Sequence, residues 1–297
     1  MEKEHKNDDL EALKKFTNNN NITIIDIDDT FGFKCKQCGK CCMYRNDIIL
    51  NPFDVYNGAR YLGIKPAEFL KKYCDVDLGC NSKIPMVLLK TTENGFCPLL
   101  KYDVKDGGKF KCTIHAAKPG ACANHPIGVA YSTDKSTGKS NTRYIKVEQC
   151  PNSVSDEQQL VREWVRPYLS HRDEIDAAHK IQHLVTNYFN PRKFWLSFMF
   201  LREGINKAKR SDVDNNIVDV LNHYVSISIN IAYAEYDIDK PFVEQVEDNI
   251  KELDKFYTGL KELFDNISKG FKERTGEALE EIIEKLDEKG EDTNDSN

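Results

Sequence analysis

Ile24 to Arg45, IIDIDDTFGFKCKQCGKCCMYR, is the stretch on which the reading of this chain turns, because it holds two chemistries. Asp26, Asp28 and Asp29 follow a β-branched run, the pattern of a strand running into an acidic loop. Cys35, Cys38 and Cys41 then repeat a C-x-x-C spacing twice and end in a doublet with Cys42. A tight turn between cysteines at that spacing brings both thiolates to one tetrahedral centre. Three donors in one loop are therefore preorganised, and a fourth must come from elsewhere. Cys42, adjacent to Cys41, heads for a different centre or a different face.

Further donors of the right type follow: Cys97 before Pro98, Cys112-x-x-His115, Cys122-x-x-His125, and Cys150 before Pro151. Cys35, Cys38, Cys41, Cys42, Cys97, Cys112, Cys122 and Cys150 suffice for two four-thiolate sites. His115 and His125 read as additional ligands or as outer hydrogen-bond donors. Cys74 and Cys80 flank an expected helix end and read as buried or incidental thiols. Lys34, Lys36, Lys40, Arg45, Lys109, Lys111 and Lys118 lie close in sequence to the cysteines and offset thiolate charge. The gaps of two and two differ from the three and two of a radical S-adenosylmethionine cluster. Cys42 also arrives too early for the bacterial ferredoxin run. The expected cofactor is an iron–sulfur cluster or zinc.

The acidic half has a competing reading, since it looks like the nucleophile loop of haloacid-dehalogenase-type phosphatases. That chemistry needs a nucleophilic aspartate, an acid/base two residues on, a later lysine and a further acidic pair for Mg²⁺. Only Asp26, Asp28 and Thr30 are in place, and the strand–helix alternation of a doubly wound sheet is missing. The acidic run reads as a strand end and loop.

The 297 residues are 40% hydrophobic and 30% charged, a globular composition with room for one large or two ordinary domains. A net charge of -6 gives no general attraction to phosphate, so no nucleic acid partner is expected. The opening MEKEHKNDDLEALKK lacks an apolar core of the secretory kind. The longest apolar run, FWLSFMFL, falls short of the roughly 20 residues that cross a bilayer. A cytoplasmic protein with no membrane association is expected, and in a reducing compartment ten cysteines favour a metal site over a disulfide framework.

The fold class expected is α+β: a small cysteine-rich metal-binding region of short strands and helices, followed by a mostly helical C-terminal bundle. Residues 1–21 read as a flexible lead-in, 22–152 as the cysteine-cluster domain, 153–286 as the helical domain and 287–297 as a disordered tail. Strands are expected at Ile22 to Ile27, Ile127 to Ser132 and Thr142 to Val147, with a turn at Phe31-Gly32-Phe33. Two short helices fit NPFDVYNGARYLGI and KPAEFLKKYC. Longer ones fit Asp156 to Leu169, Asp173 to Phe189, Arg192 to Lys209, Val213 to Tyr236, and Phe242 to Phe271. The last carries a seam of Val243, Val246, Ile250, Leu253, Tyr257, Leu260, Phe264, Ile267 and Phe271. That seam fits packing inside a bundle, a helical protein partner or a homo-oligomer through the C-terminal helix.

The cysteine region resembles the CxxCxxCC cysteine-cluster proteins, a family described as zinc- or iron-chelating that includes flagellin lysine N-methylases. The resemblance covers Phe33 to Pro151 and rests on FKCKQCGKCC, IILNPFDVYNGARYLGIKPAEFLKKY, FCPLL, KCTIHAAKPGACANHP and the closing CP, in the family's order. It implies the eight cysteines named above as ligands. His115 and His125 fall where many members carry aromatic residues, and Lys118 and Ala123 where arginine is common. The family also implies methyl transfer from S-adenosylmethionine to lysines of a protein substrate, although no G-x-G-x-x-G nucleotide loop is present. The alternative is a non-catalytic structural zinc module carrying a helical partner-binding domain.

Overall fold

The computed structural model describes residues 22–78, 84–133, 140–147, 155–189 and 223–275. The lead-in 1–21, Cys80, Cys150, the helix expected at 192–209 and the tail 287–297 lie outside the described residues. In chain order the strands are β1 (Ile22–Ile25), β2 (Thr30–Gly32), β3 (Ile49–Leu50), β4 (Cys74–Leu78), β5 (Pro85–Leu89), β6 (Leu100–Asp103), β7 (Lys109–Cys112), β8 (Ile127–Thr133), β9 (Ser140–Val147) and β10 (Gln158–Leu160). The helices are α1 (Pro52–Leu62), α2 (Pro66–Tyr73), α3 (Gly120–Ala123), α4 (Val161–Leu169), α5 (Arg172–Tyr188) and α6 (Phe242–Thr275). Short strands in small sheets with long helices towards the C-terminus make this the α+β protein expected from the sequence.

The chain divides into two compact units. One takes Met1–Leu50, Lys72–Asp75 and Leu88–Ile175, and the other Asn51–Lys71, Val76–Val87 and Asp176–Asn297.

In the first unit β1, β9 and β8 form an antiparallel sheet in the order β1-β9-β8, with Ile25 opposite Tyr144 and Ile127 opposite Lys146. The strands expected near 22, 127 and 142 are all present. Phe31-Gly32-Phe33, expected as a turn, instead enters β2, which pairs antiparallel with β10. The helix expected from Asp156 accordingly starts only at Val161. Gly32 permits this pairing because a Cβ there would lie 1.9 Å from the Ser155 carbonyl oxygen. Phe31 and Phe33 then share one buried cluster with Ile25, Ile127, Val161 and Val165, and Trp164 packs against it. Burying each phenylalanine stabilises the unit by about 1.5–3 kcal/mol.

The acidic run is a seat for α4. Asp29 closes a turn by accepting the Asp26 N–H through Oδ2 at 2.8 Å and donating its own N–H to the Asp26 carbonyl. The carbonyls of Asp29 and Ile27 accept the N–H groups of Val161 and Arg162, donors that a helix N-terminus leaves unpaired. Arg162 also pairs with Asp28. β1, the strand leading into this run, lies in an antiparallel sheet, not the parallel one a phosphatase loop requires. Elsewhere in this unit the Leu89 N–H reaches the Ile48 carbonyl and the Lys90 N–H reaches the Tyr73 carbonyl.

In the second unit α1 begins with a capping box, Asn51 accepting the Asp54 N–H at 2.8 Å while Asp54 accepts the Asn51 N–H at 3.0 Å. Pro52 occupies the first turn, and Gly63 ends the helix in the left-handed conformation. Phe53 and Tyr56 of α1 gather with Tyr236 and Phe242 into an aromatic core, their ring centroids 4.8–6.4 Å apart. Residues 223–229 are α-helical and pass into a π turn at Asn230–Ala234.

Helix α6 buries a face one position away from part of the expected seam. Val246, Leu253, Tyr257 and Leu260 are buried as expected, but Val243 is 39% exposed while its neighbour Phe242 is 2% exposed. Asn249 is buried where Ile250 was expected to face inward. The reason is the π turn, which leaves carbonyls at the end of the preceding helix for Asn249 to satisfy. Its Nδ2 donates to the Ile231 carbonyl at 3.1 Å and to the Glu235 carbonyl at 3.0 Å. Asn249→Ala is expected to lower stability by about 1–3 kcal/mol, because two carbonyls lose their donor in a water-poor setting. Urea unfolding followed by circular dichroism measures it. A change below about 0.5 kcal/mol, typical of an indifferent surface site, would show that the contact does not anchor α6.

Candidate metal centre

The cysteine loop is built from left-handed residues. Gln37, Gly39 and Tyr44 have φ of 53°, 74° and 54°, the first two inside the two C-x-x-C gaps and the third just after the Cys41–Cys42 doublet. Gly39 is the position where a side chain is excluded, since a Cβ would sit 2.9 Å from the Phe110 ring. Main-chain bonds fasten the loop to its neighbours: the Phe110 N–H to the Gln37 carbonyl at 2.9 Å, the Cys97 N–H to the Cys42 carbonyl at 2.8 Å, and the Tyr44 N–H to the Gly95 carbonyl at 2.6 Å. Cys97 and Cys112 are joined in turn by the β6–β7 ribbon, where Cys112 lies opposite Leu100.

Cys122 sits on the short turn α3, which the rest of the unit holds closely. A Cβ on Gly120 would meet the Tyr168 ring at 2.5 Å, and Trp164 Nε1 donates to the Asn124 carbonyl at 2.9 Å. Phe33 meets both Trp164 and His125 edge-on, at 5.6 and 5.9 Å. The aromatic cluster is thus a floor beneath the Cys122–His125 turn.

None of the eight described cysteines is joined in a disulfide. Cys41, Cys42, Cys97, Cys112 and Cys122 are half-buried and interact electrostatically, Cys42 with Cys41, Cys97 and Cys122, and Cys41 with Cys97 and Cys112. Cys35 and Cys38 are exposed, and Cys74 is buried. Among the described residues no three of His, Cys, Asp or Glu stand close enough to hold one metal ion. The thiols are gathered, not clamped.

Several sulfurs accept main-chain N–H groups, a contact that favours the thiolate. Gln37 N–H donates to Cys35 Sγ at 3.4 Å, Leu99 and Leu100 donate to Cys97, and Ile114 donates to Cys112. Burial nevertheless pushes the Cys97 and Cys112 thiols up, and other thiolates add to it. Cys41 and Cys42 lie with their sulfurs 3.8 Å apart, close enough for one thiol to hydrogen-bond the other sulfur. The hydrogen bond from Cys42, with Lys118 and Arg45 helping against burial, lowers Cys41 to about 6, and the same hydrogen bond and burial push Cys42 up. His115 is exposed and lowered by Lys118 and burial. His125 is driven down to about 4 by burial, Arg45 and Lys118.

Residues 34–151 match the CxxCxxCC family model, described as "Putative zinc- or iron-chelating domain". Neither a curated protein nor a solved structure matches the chain. The donor chemistry of the CxxCxxCC segment fits such a metal: free thiols, sulfur-directed amides, and two cations to balance negative charge. Spacing could not reveal the amides of Leu99, Leu100 and Ile114, nor Trp164, which lies beyond the matched segment. The apolar residue two after each of Cys97 and Cys112 was the available signal.

In chelator-treated protein the Cys41–Cys42 pair is expected to react with iodoacetamide in a step with its midpoint near pH 6, because the thiolate is the nucleophile. The rate rises as pH climbs through that value and falls below it. Cys97 and Cys112 are expected to need a pH above the ordinary thiol range. Peptide mapping by mass spectrometry reads each site, and a midpoint near the ordinary value of about 8.5 for the pair would contradict the lowered Cys41 thiol.

Proposed function

We propose that this protein chelates zinc or iron through a thiolate set centred on Cys41, Cys42, Cys97, Cys112 and Cys122, with Cys35 and Cys38 drawn in from the exposed arm of the same loop. Cys150, outside the described residues, is the remaining family ligand. The observation that supports this most is the collection of five half-buried thiols, none in a disulfide, from well-separated positions in the chain into one electrostatically interacting group. Metal binding then releases the protons that the pair and the raised thiols hold, so affinity increases with pH.

A structural centre suits this setting, because amide-supported thiols over an aromatic floor make a fixed framework. When bound, the metal would tie the loop to the β6–β7 ribbon and the α3 turn. Anaerobic purification followed by metal and sulfide analysis is expected to give at least one zinc or iron per folded chain, reduced in Cys97→Ser and Cys122→Ser. Sulfide together with iron would make it an iron–sulfur centre, and zinc without sulfide a structural zinc module. A folded chain free of metal under these conditions would overturn the reading.

The finer activity, S-adenosylmethionine-dependent lysine N-methylation of a protein, is supported by the family resemblance alone. Calorimetry of the metal-loaded chain with S-adenosylmethionine tests it, and absence of binding would remove it.

A further inference from the structure

Adjacent residues of an extended chain send their side chains to opposite faces. Cys41 and Cys42 instead lie in a single turn of 3-10 helix, Lys40–Cys42, entered through Gly39 at φ 74°, and their sulfurs come to 3.8 Å. The Cys42 N–H closes that turn on the Gly39 carbonyl at 2.8 Å, and the Cys97 N–H holds the Cys42 carbonyl from the other side. Both thiols of the doublet are half-buried, whereas Cys35 and Cys38 of the same loop are exposed.

Sulfurs held in contact can do more than share a ligand. Disulfide chemistry proceeds by attack of one sulfur on another, and a neighbour fixed within reach attacks at an effective concentration that a free thiol does not match. The bond so formed is a weak one. Consecutive Cα atoms stay about 3.8 Å apart across a trans peptide, short of the roughly 4.4–6.8 Å that a relaxed cystine spans, so the ring is strained and readily reduced. Strained disulfides are the labile, regulatory kind, not structural staples.

We propose that Cys41 and Cys42 are a redox switch: a low-molecular-weight disulfide converts them to a vicinal disulfide, which withdraws two thiolates from the chelating set. The withdrawal rests on the metal-binding reading above, and the disulfide itself does not. One thiolate of the doublet attacks a sulfur of the small disulfide, forming a mixed disulfide and expelling one small thiolate. The other cysteine gives its proton to solvent, and its sulfur displaces the second small thiolate to form the Cys41–Cys42 bond. Two protein thiols are oxidised and one small disulfide is reduced to two thiols, with no change in the valence of any metal. Excess small thiol runs the exchange backwards. Cys97, whose N–H sits on the Cys42 carbonyl, is the competing partner.

Trypsin separates the doublet from every other cysteine, since cleavage after Lys40 and Arg45 leaves CCMYR, Cys41 to Arg45. The full chain, freed of metal by chelator and kept anaerobic, is treated with glutathione disulfide, alkylated with iodoacetamide and mapped by mass spectrometry. The expected product is this peptide lighter by two hydrogens and unalkylated, returned to the doubly alkylated form by dithiothreitol. Cys42→Ser is expected to stop at a glutathione mixed disulfide on Cys41. The bond should form at least about 10-fold faster in the folded chain than in the urea-unfolded chain, because the turn supplies the effective concentration. A doubly alkylated peptide, a cross-link to Cys97 or Cys112, or equal rates with and without urea overturns the proposal. The chain as purified, with its metal, is expected to release that metal to a colorimetric indicator in step with the disulfide. The oxidised chain should then bind zinc more weakly by more than the roughly 10–100-fold that loss of an outer hydrogen-bond partner causes. If the disulfide forms while metal stays bound, the switch is overturned and the metal-binding reading stands. A reduced chain that takes up neither zinc nor iron overturns that reading, and the switch with it.

Discussion

Thiols drawn into one half-buried group repel one another as soon as they ionise, and the first unit has to hold them together against that repulsion. Burial and neighbouring sulfurs push Cys42, Cys97 and Cys112 towards the protonated form. The restraint that gathers them is main-chain: the Cys97 N–H on the Cys42 carbonyl, the Phe110 N–H on the Gln37 carbonyl, and the β6–β7 register that carries Cys112 to its place. None of these bonds depends on the ionisation of a side chain. A divalent cation at their centre would reverse the sign of the electrostatics, which is why folding and chelation should reinforce each other here.

The support beneath this group comes from a non-local pairing. β2 and β10 are separated by more than a hundred positions, and Gln159 Nε2 reaches the Phe33 carbonyl at 2.7 Å across that gap. The pairing sets Phe31 and Phe33 against α4, and α4 presents Trp164 to Asn124 and Tyr168 to Gly120. The acidic run matters for the same reason, since Ile27 and Asp29 receive the first N–H groups of α4. Three aspartates that could be mistaken for catalytic groups thus serve to position the helix on which the Cys122 turn rests.

What was legible in the sequence was local. Cysteine spacing is fixed by the order of residues and needs no fold to be seen, and the Asn51–Pro52 start and Gly63 end of α1 carry their own chemistry. The strands β8 and β9 were legible from β-branched residues on either side of a polar linker. The β2–β10 pairing was not, because Phe-Gly-Phe reads equally well as a turn until a distant partner is supplied. The face of α6 was misjudged at Val243 and Ile250 for a related reason: periodicity alone leaves a helix free to rotate by one position. The Ile231 and Glu235 carbonyls, in and just after the π turn, which Asn249 satisfies, and the aromatic core that takes Phe242 go with the observed rotation. At the site, residue types were legible and their inequality was not. Nothing in C-x-x-C-x-x-C-C announces that Cys35 and Cys38 lie exposed while the Cys41 and Cys42 sulfurs meet each other half-buried.

The two histidines show how much that inequality matters. By spacing they are equivalent, each closing a C-x-x-H pair. Phe33, just outside the matched segment, packs edge-on against the His125 ring, and Trp164, beyond it, holds the Asn124 carbonyl beside that ring; His125 Nε2 is shut away from water while His115 remains exposed. The matched segment supplies the sulfurs, but Phe33 and α4 outside it set the surroundings of the His125 ring. A reading of residues 34–151 alone would therefore omit groups that set the two rings apart, and the surroundings of the centre are a property of the whole first unit.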